Sequence, residues 1–187
     1  PFYNVLGTQQ DNTAISVPSD SINGMIKYSD CKIVGISESG HIAVDPSKQH
    51  CTYSGALGSY HGTGPLMLKH DKISGEVDMV TVWPDVTGHT NNERKYRFGW
   101  DQPIIFSLHH QNRLLTAANV IFESYDEGKS WTEISPDLTR NDPNYIDPSS
   151  SKTTSGKPGN KWESAPKNKI APFERCYISA LGESPID

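Results

Sequence analysis

Short apolar runs alternate with polar, turn-rich segments along the whole chain. Most runs are bounded by Gly, Pro, Asn, Asp or Ser, which is typical of short strands joined by tight turns. Weak helical periodicity is confined to residues 88–97. The pattern therefore predicts an all-β chain, with strands at residues 2–7, 14–17, 33–36, 41–46, 51–55, 66–69, 77–83, 103–107, 114–117, 120–122, 131–135 and 176–181.

Two consecutive segments repeat the same order of strands and turns. Placing Pro46 on Leu108 also places Gln49 on Gln111, and the strand order then matches over four strands. Repeats of four short antiparallel strands are typical of β-propeller blades. The predicted fold is a partial β-propeller of four-stranded antiparallel blades, and the alternative is a self-contained β-sandwich.

The repeat divides the chain into blades and connections. A propeller typically closes with about 4–8 blades, and one blade cannot bury both of its faces alone. We therefore expect a fragment of a longer chain or a piece of a processed protein, whose partners are the remaining blades of the same or another chain. The predicted parts are the end of a preceding blade plus its connection (1–40), a blade (41–83), an inter-blade insertion (84–102), a second blade (103–135), a long inter-blade loop (136–175) and the start of a further blade (176–187).

The second blade contains the most distinctive motif of the chain. We expect a tight hairpin in which the Asp126 carboxylate turns back onto nearby backbone N–H groups, as in Asx turns. Gly128 supplies the positive φ that the turn requires, and Trp131 is the first large apolar residue of the returning strand. The pattern formed by Ser124, Asp126, Gly128, Ser130 and Trp131 resembles the Asp-box, or bacterial neuraminidase repeat. That resemblance implies a propeller blade and a structural hairpin, not a catalytic one.

Three further segments are similar to one protein family: Ser37–Pro46, Lys95–Trp100 and Ile134–Asp142. They resemble large exported bacterial proteins with sortilin-like, Asp-box propellers, which are often described as glycosyl-hydrolase-like. The resemblance implies the fold and an exported location, in the periplasm, on the cell surface or secreted, but it implies no reaction. The chain departs from the family pattern at Leu108, where a proline is usual, and at 9–13, where a glycine is usual.

Composition excludes several classes of partner. The chain has 187 residues, of which 34% are hydrophobic, and a formal net charge of -5. An acidic balance argues against nucleic acid or an anionic membrane as the partner. Since no apolar run approaches the roughly 20 residues that span a bilayer, no transmembrane segment is predicted.

The cysteines and histidines favour no metal site and no cofactor. Cys31, Cys51 and Cys176 lack the C-x-x-C spacing of zinc sites, and we interpret them as buried or half-buried thiols. An oxidising compartment would allow a Cys31–Cys51 disulfide instead. His109 and His110 are adjacent on an extended segment and point to opposite sides, so they do not bind one metal together.

The long insertions indicate which end of the blades is functional. In an up-and-down blade, the second loop and the link to the next blade emerge opposite the third loop, which is the hairpin at 124–131. Long loops on a rigid scaffold are frequent binding sites, so we place the binding surface at the end that carries 84–100 and 136–172. Its aromatics and charges could stack on a sugar or clamp a peptide, or simply pack the loop while the charges are solvated. The predicted binding residues are Trp83, His89, Lys95, Tyr96, Arg97, Trp100 and Asp101.

Three functions remain open from the sequence. The leading one is a binding or scaffold module that engages a protein, peptide or glycan through its long-loop end. The second is a glycoside hydrolase of sialidase-like or xyloglucanase-like architecture, and the third is a structural subunit that completes a propeller with another chain. Catalytic residues are not identified, because no spacing singles out a carboxylate pair among Glu38, Asp45, Asp85 and Asp101 or an arginine among Arg94, Arg97, Arg113, Arg140 and Arg175.

Overall fold

A computed structural model of the chain describes residues 3–10, 12–35, 40–56, 66–83, 95–99, 101–141 and 177–186. Within these residues eleven strands form three antiparallel sheets, and the one short helix is a 3-10 turn at Tyr28–Asp30. The prediction of an all-β chain is confirmed. No helix in the described part of the chain is long and apolar enough to span a membrane.

Each strand pairs with the next one in sequence, so all three sheets are antiparallel meanders. The second and third sheets have four strands each, as the repeat predicts. The first sheet contains β1 (Asn4–Thr8), β2 (Ala14–Pro18) and β3 (Lys32–Gly35). The second contains β4 (Ile42–Val44), β5 (Cys51–Ala56), β6 (Leu66–Asp71) and β7 (Val77–Met79), and the third contains β8 (Ile104–Phe106), β9 (Leu114–Ala117), β10 (Ile121–Ser124) and β11 (Thr132–Glu133).

Several predicted strands are shorter in the structure, and one is absent from the described residues. The predicted strand at 77–83 ends at Met79, and the one at 131–135 is reduced to Thr132–Glu133. Trp131 leaves the ladder because its indole packs on the neighbouring sheet, where Nε1 donates to the Val80 carbonyl over 3.1 Å. The described part of the predicted strand at 176–181, residues 177–181, forms no strand.

The three sheets stack face to face in chain order. Their first strands are neighbours, since β1 lies beside β4 and β4 lies beside β8. The second sheet is therefore covered on both sides, and every residue of β5 from Cys51 to Gly55 is buried although alternate side chains point to opposite faces. This arrangement is that of consecutive propeller blades, in which separate sheets pack face to face with their inner strands side by side.

Small side chains fill the contact between the first and second sheets. Ala14 and Val34 of the first sheet are fully buried, and the Thr52 hydroxyl of β5 donates to the Val34 carbonyl. Gly35 lies so close to β5 that a Cβ there would be 2.8 Å from the Ser54 Oγ. The two backbones approach closely because this side of β5 carries only Thr52 and Ser54.

Large apolar side chains fill the contact between the second and third sheets. The rings of Tyr53 and Phe106 meet edge to face, with their centroids 5.3 Å apart. Met67, Ile104 and Leu114 belong to the same core and are almost fully buried. Burying each such side chain stabilises the folded state by roughly 1.5–3 kcal/mol. Because several of them meet here, this contact is the main hydrophobic core of the described chain.

The segment at 177–186 lies along the outer side of the third sheet. The Ile178 N–H donates to the Ala118 carbonyl over 2.8 Å. Glu183 accepts hydrogen bonds from the Ser107 hydroxyl at 2.8 and 2.9 Å and from the Leu108 N–H at 2.6 Å. These bonds, the Ser107 hydroxyl first, lower the pKa of Glu183. The third sheet therefore has chain on both of its faces.

Cys31 and Cys51 are free thiols. Cys51 is buried in the core and Cys31 is half-buried, where its Sγ contacts the Lys27 carbonyl at 3.8 Å. The thiol interpretation of these two residues is confirmed, and the alternative of a Cys31–Cys51 disulfide is not formed. Cys176 lies outside the described residues.

Replacing Gly35 with alanine tests the close contact between the first two sheets. Gly35→Ala should destabilise the protein by roughly 1–3 kcal/mol, because the new Cβ overpacks against Ser54 and Ala14. Gly7→Ala on β1 is the matched control, since nothing lies within 4 Å of a Cβ at that position. Chemical denaturation of both variants measures the difference. Equal effects would contradict the close packing of the two sheets.

Candidate functional site

The loops emerge at two ends of the stack. We call the end that carries the β4–β5, β6–β7, β8–β9 and β10–β11 connections the hairpin end. The opposite end, with the β9–β10 turn at 118–120, is the link end. Residues 95–99 and 134–141 lie at the link end, where Asn119 accepts a hydrogen bond from the Arg97 N–H over 2.9 Å and another from the Leu138 N–H, also over 2.9 Å.

The β10–β11 hairpin is organised around the Asp126 carboxylate. It accepts hydrogen bonds from the Ser124 hydroxyl at 2.8 Å, from the Ser130 N–H at 2.9 Å and from the Ser130 hydroxyl at 2.6 Å. These bonds, those from Ser130 first, lower the pKa of Asp126 to about 2. Gly128 has a φ of 84°, and its N–H donates to the Ser124 hydroxyl. The side-chain oxygens of Ser124, Asp126 and Ser130 are thus used inside the hairpin.

The same hairpin binds the second sheet through Glu127. Its carboxylate pairs with both Lys48 and Lys69. Hydrogen bonds from Lys48 and then Lys69 lower the pKa of Glu127 to about 2. Together with the Trp131 indole on Val80, this pair of contacts fixes the hairpin against its neighbour. The hairpin therefore has a structural role in the described chain.

An exposed aromatic and cationic surface lies at the link end. Trp83, which is 41% exposed, meets Tyr96 edge to face with 5.8 Å between ring centroids. The Lys95 Nζ is 4.8 Å from the Trp83 centroid and 4.9 Å from the Tyr96 centroid. Both distances lie within the range of cation–π contacts. We call Trp83, Lys95 and Tyr96 the aromatic patch.

Tyr96 anchors the aromatic patch to the third sheet. Its ring packs edge to face on Phe122, with centroids 4.8 Å apart, and Phe98 stacks on the same phenylalanine at 6.0 Å. The Tyr96 hydroxyl donates to the Glu133 carboxylate over 3.0 Å. Tyr96 is half-buried and held from two sides, so the position of Trp83 and Lys95 is set by a rigid base.

Arg97 belongs to a hydrogen-bond network with Asp137 and Thr139, next to the aromatic patch in the sequence. Its guanidinium donates to the Asp137 carboxylate at 2.6 Å and to the Thr139 hydroxyl at 3.0 Å. Burial raises the pKa of Asp137, but hydrogen bonds from Thr139 and Arg97 outweigh it and the pKa falls to about 2. This network ties residues 95–99 to residues 134–141. Arg97 is therefore engaged within the protein.

The predicted binding residues do not form one group in the described chain. Trp83, Lys95 and Tyr96 come together. Asp101 lies beside Gly40 instead, where a Cβ on that glycine would be 3.6 Å from the Asp101 Cα. His89 and Trp100 lie outside the described residues.

The candidate carboxylates show no glycosidase pair within the described ranges. Asp45 is 3% exposed, and its carboxylate accepts hydrogen bonds from the N–H groups of Ser47 and Lys48 at 2.8 and 3.1 Å. Asp45 therefore caps the β4–β5 turn. Asp101 is exposed, and Glu38 and Asp85 lie outside the described residues.

The candidate arginines do not converge either. Arg113 pairs with Glu123 at 2.8 Å and with Glu183 at 3.4 Å, which joins β9 to β10 and to the 177–186 segment. Arg140 is exposed, whereas Arg94 and Arg175 lie outside the described residues.

A group of residues at the hairpin end was not found from the sequence. His50, Cys51 and Asp71 place one potential metal-ligand atom each within 4.8 Å of one another. Cys51 and Asp71 are twenty positions apart and become neighbours only through the pairing of β5 with β6, where they are cross-strand partners. No local spacing in the sequence signals such a group.

Comparisons with known proteins give a distant likeness. No protein-family model matches the chain, and no curated protein matches it. Among solved structures, the chain is similar to the crystal structure of the Niastella koreensis GH74 enzyme, with a TM-score of 0.44 and 18% sequence identity. The match covers 69% of this chain and 19% of the enzyme chain.

Acid titration tests the role of Glu127. Its pKa is lowered from 4.5 to about 2, so its stabilising contribution is complete above pH 4.5 and is lost as the pH falls towards 2. Glu127→Gln should therefore lower the free energy of unfolding by about 1 kcal/mol at neutral pH and have less effect near pH 2. Denaturant unfolding at several pH values measures both quantities.

Glu76→Gln is the control for that titration, because it changes an exposed carboxylate in the neighbouring β6–β7 turn. It should leave the stability near the wild-type value at every pH. An equal loss in both variants, or a Glu127→Gln loss that does not change with pH, would contradict the proposed ion pairs.

Proposed function

We propose that this chain is part of an exported Asp-box β-propeller that acts as a binding module, and that the aromatic patch at its link end holds a glycan. The hairpin at Ser124–Trp131 is the Asp-box of its blade. One observation carries the proposal. The exposed Trp83 contacts both Lys95 and Tyr96, and the Tyr96 ring is held in place by its packing on Phe122.

The fixed base makes the patch suitable for binding. Ligand binding is weakened when side chains must be ordered first, and a preorganised surface avoids much of that loss. Tyr96 is already held by Phe122 and Glu133, and it contacts both Trp83 and Lys95. The Trp83 indole can therefore contact a ligand without a large rearrangement of the side chains around it.

The chemistry of the patch favours a glycan over an apolar ligand. A sugar ring combines an apolar C–H face, which packs on an aromatic ring, with hydroxyl groups that both donate and accept hydrogen bonds. Lys95 offers donors and Glu133 offers acceptors next to the exposed indole. A protein or peptide ligand is the other outcome of the binding test described below.

The first sheet supports the proposal that further blades complete the propeller. Odd-numbered residues of β1 point to the side opposite Ala14 and Val34, and on that side Val5 is 57% exposed. Ile33 of β3 lies on the same side and is 64% exposed. Both faces of the second sheet are covered, and the third sheet has chain on both faces. We propose that a further blade, from the same or another chain, covers the apolar face of the first sheet.

The hydrolase function receives less support than the binding function. A glycosidase pairs two carboxylates roughly 5–10 Å apart across its substrate. Asp45, one of the candidates, is instead buried in its turn and bonded to backbone N–H groups. Hydrolysis of glycans would therefore require acids outside those brought together in the described chain.

Replacing Trp83 tests glycan binding directly. Trp83→Ala should lower affinity at least tenfold for whichever glycan the native protein retains on a glycan array, because the main stacking surface is removed. The folded state should be preserved, since Trp83 is partly exposed. Isothermal titration with the retained glycan measures the change.

Tyr125→Ala is the matched control, because Tyr125 is an exposed aromatic residue at the hairpin end. Its affinity for the glycan should equal that of the wild type. An equal loss in both variants, retention of no glycan, binding of a peptide alone, or turnover of the glycan by the native protein would each contradict the proposed function.

Introducing lysines on the outer face of the first sheet tests the proposal that a further blade covers this face. We expect the 187-residue chain to self-associate as its concentration rises, because association buries the exposed apolar face of the first sheet. The double variant Val5→Lys, Ile33→Lys should shift the chain to monomers. Light scattering coupled to size-exclusion chromatography measures the mass of each form.

Ile22→Lys with Tyr28→Lys is the control pair, since both residues are exposed in the β2–β3 connection and not on the sheet face. That pair should associate like the wild type. A monomeric wild-type chain, or equal dissociation in the two double variants, would contradict a docking role for the sheet face.

A further inference from the structure

We propose that His50, Cys51 and Asp71 at the hairpin end bind a divalent transition metal ion of the zinc type. The three ligand atoms come from a thiol, an imidazole and a carboxylate, which are the ligand types that zinc prefers. The site is separate from the aromatic patch, which lies at the link end.

The strand register brings two of the ligands together. Cys51 begins β5 and Asp71 ends β6, and the two are directly opposite in the antiparallel pair. Side chains of directly opposed residues leave the same face of a sheet, with Cβ atoms about 4.5–5.5 Å apart. His50 precedes Cys51 in the turn, and its Nε2 is 3.8 Å from the Asp71 Oδ2.

Backbone and side-chain hydrogen bonds hold the site in place. The Lys72 N–H donates to the His50 carbonyl over 2.9 Å, which fixes His50 beside the end of β6. Asp71 Oδ1 accepts from the N–H groups of Ile73 and Ser74 at 2.8 and 3.2 Å. Because Oδ1 is used in the turn, Oδ2 is the oxygen that faces His50.

The size of the site suits a small ion. Tetrahedral zinc with bonds of about 2.0–2.3 Å places its ligand atoms about 3–4 Å apart, and the three atoms here lie within 4.8 Å of one another. Cys51 is 2% exposed and fixed in the core, whereas His50 and Asp71 are partly exposed. The two exposed side chains can therefore close onto an ion at the sulfur.

The charges of the site also balance. A thiolate and a carboxylate neutralise a divalent ion, and the imidazole binds as a neutral ligand. Lys69 lies nearby, but its charge is paired with Glu127. Three protein ligands leave one position for water, which gives the four-coordinate geometry that zinc favours.

Metal titration of the metal-free, reduced protein tests the inference. Zn²⁺ should bind with one strong site per chain, measured by competition with a chromophoric chelator. Co²⁺ should give the thiolate charge-transfer band that only a cysteine ligand produces. His50→Asn and Cys51→Ser should each weaken Zn²⁺ binding by more than the roughly 10–100-fold that loss of an outer-shell partner costs.

Matched controls separate ligand loss from other effects. Cys31→Ser changes the half-buried free thiol, and His110→Asn changes an exposed histidine in the β8–β9 turn. Both should keep wild-type affinity and the Co²⁺ band. His50→Asn keeps the test decisive if Cys51→Ser fails to fold, because His50 is partly exposed. Absence of strong Zn²⁺ binding, absence of the band, or unchanged affinity in His50→Asn would overturn the proposal.

Discussion

Tyr53 lies where the second and third sheets meet, and its ring contacts Phe106 of the third sheet. This contact belongs to the burial of sheet faces against each other, on which the whole fold depends. A sheet of four short strands is too thin to form a core alone, so it must bury both faces against neighbours. The second sheet does so with two different surfaces. Thr52 and Ser54 allow close approach of the first sheet, whereas Tyr53 and Met67 form a thick apolar layer with the third.

The stacking of the sheets also determines which side chains are engaged in contacts between sheets and which are exposed at each end. At the hairpin end, turns are drawn into contacts between neighbouring sheets, and Glu127 joins the third sheet to Lys48 and Lys69 of the second. At the link end, Trp83 and Lys95 are exposed and contact an anchored Tyr96. The ion pairs of Glu127 and the proposed binding surface therefore lie at opposite ends of the strands.

The sequence predicted the strands well because their signal is local. Alternating and short apolar runs bounded by turn residues indicated all eleven strands of the described chain, and the Ser124–Trp131 pattern indicated a hairpin closed by Asp126. The exceptions have tertiary causes. Trp131 left its strand to pack on Val80, and Cys51 met Asp71 through register, which no spacing along the chain records. The contacts of Arg97 with Asp137 and Thr139 likewise join segments that are far apart in the sequence.

The central claim is that these sheets are consecutive blades of a larger propeller. An experimental structure of the native protein, isolated with whatever chain or partner it normally carries, tests that claim most directly. We predict a further four-stranded antiparallel sheet packed on Val5 and Ile33, with its first strand beside β1. A native structure in which that face lies in solvent, or is covered by a helix, would contradict it.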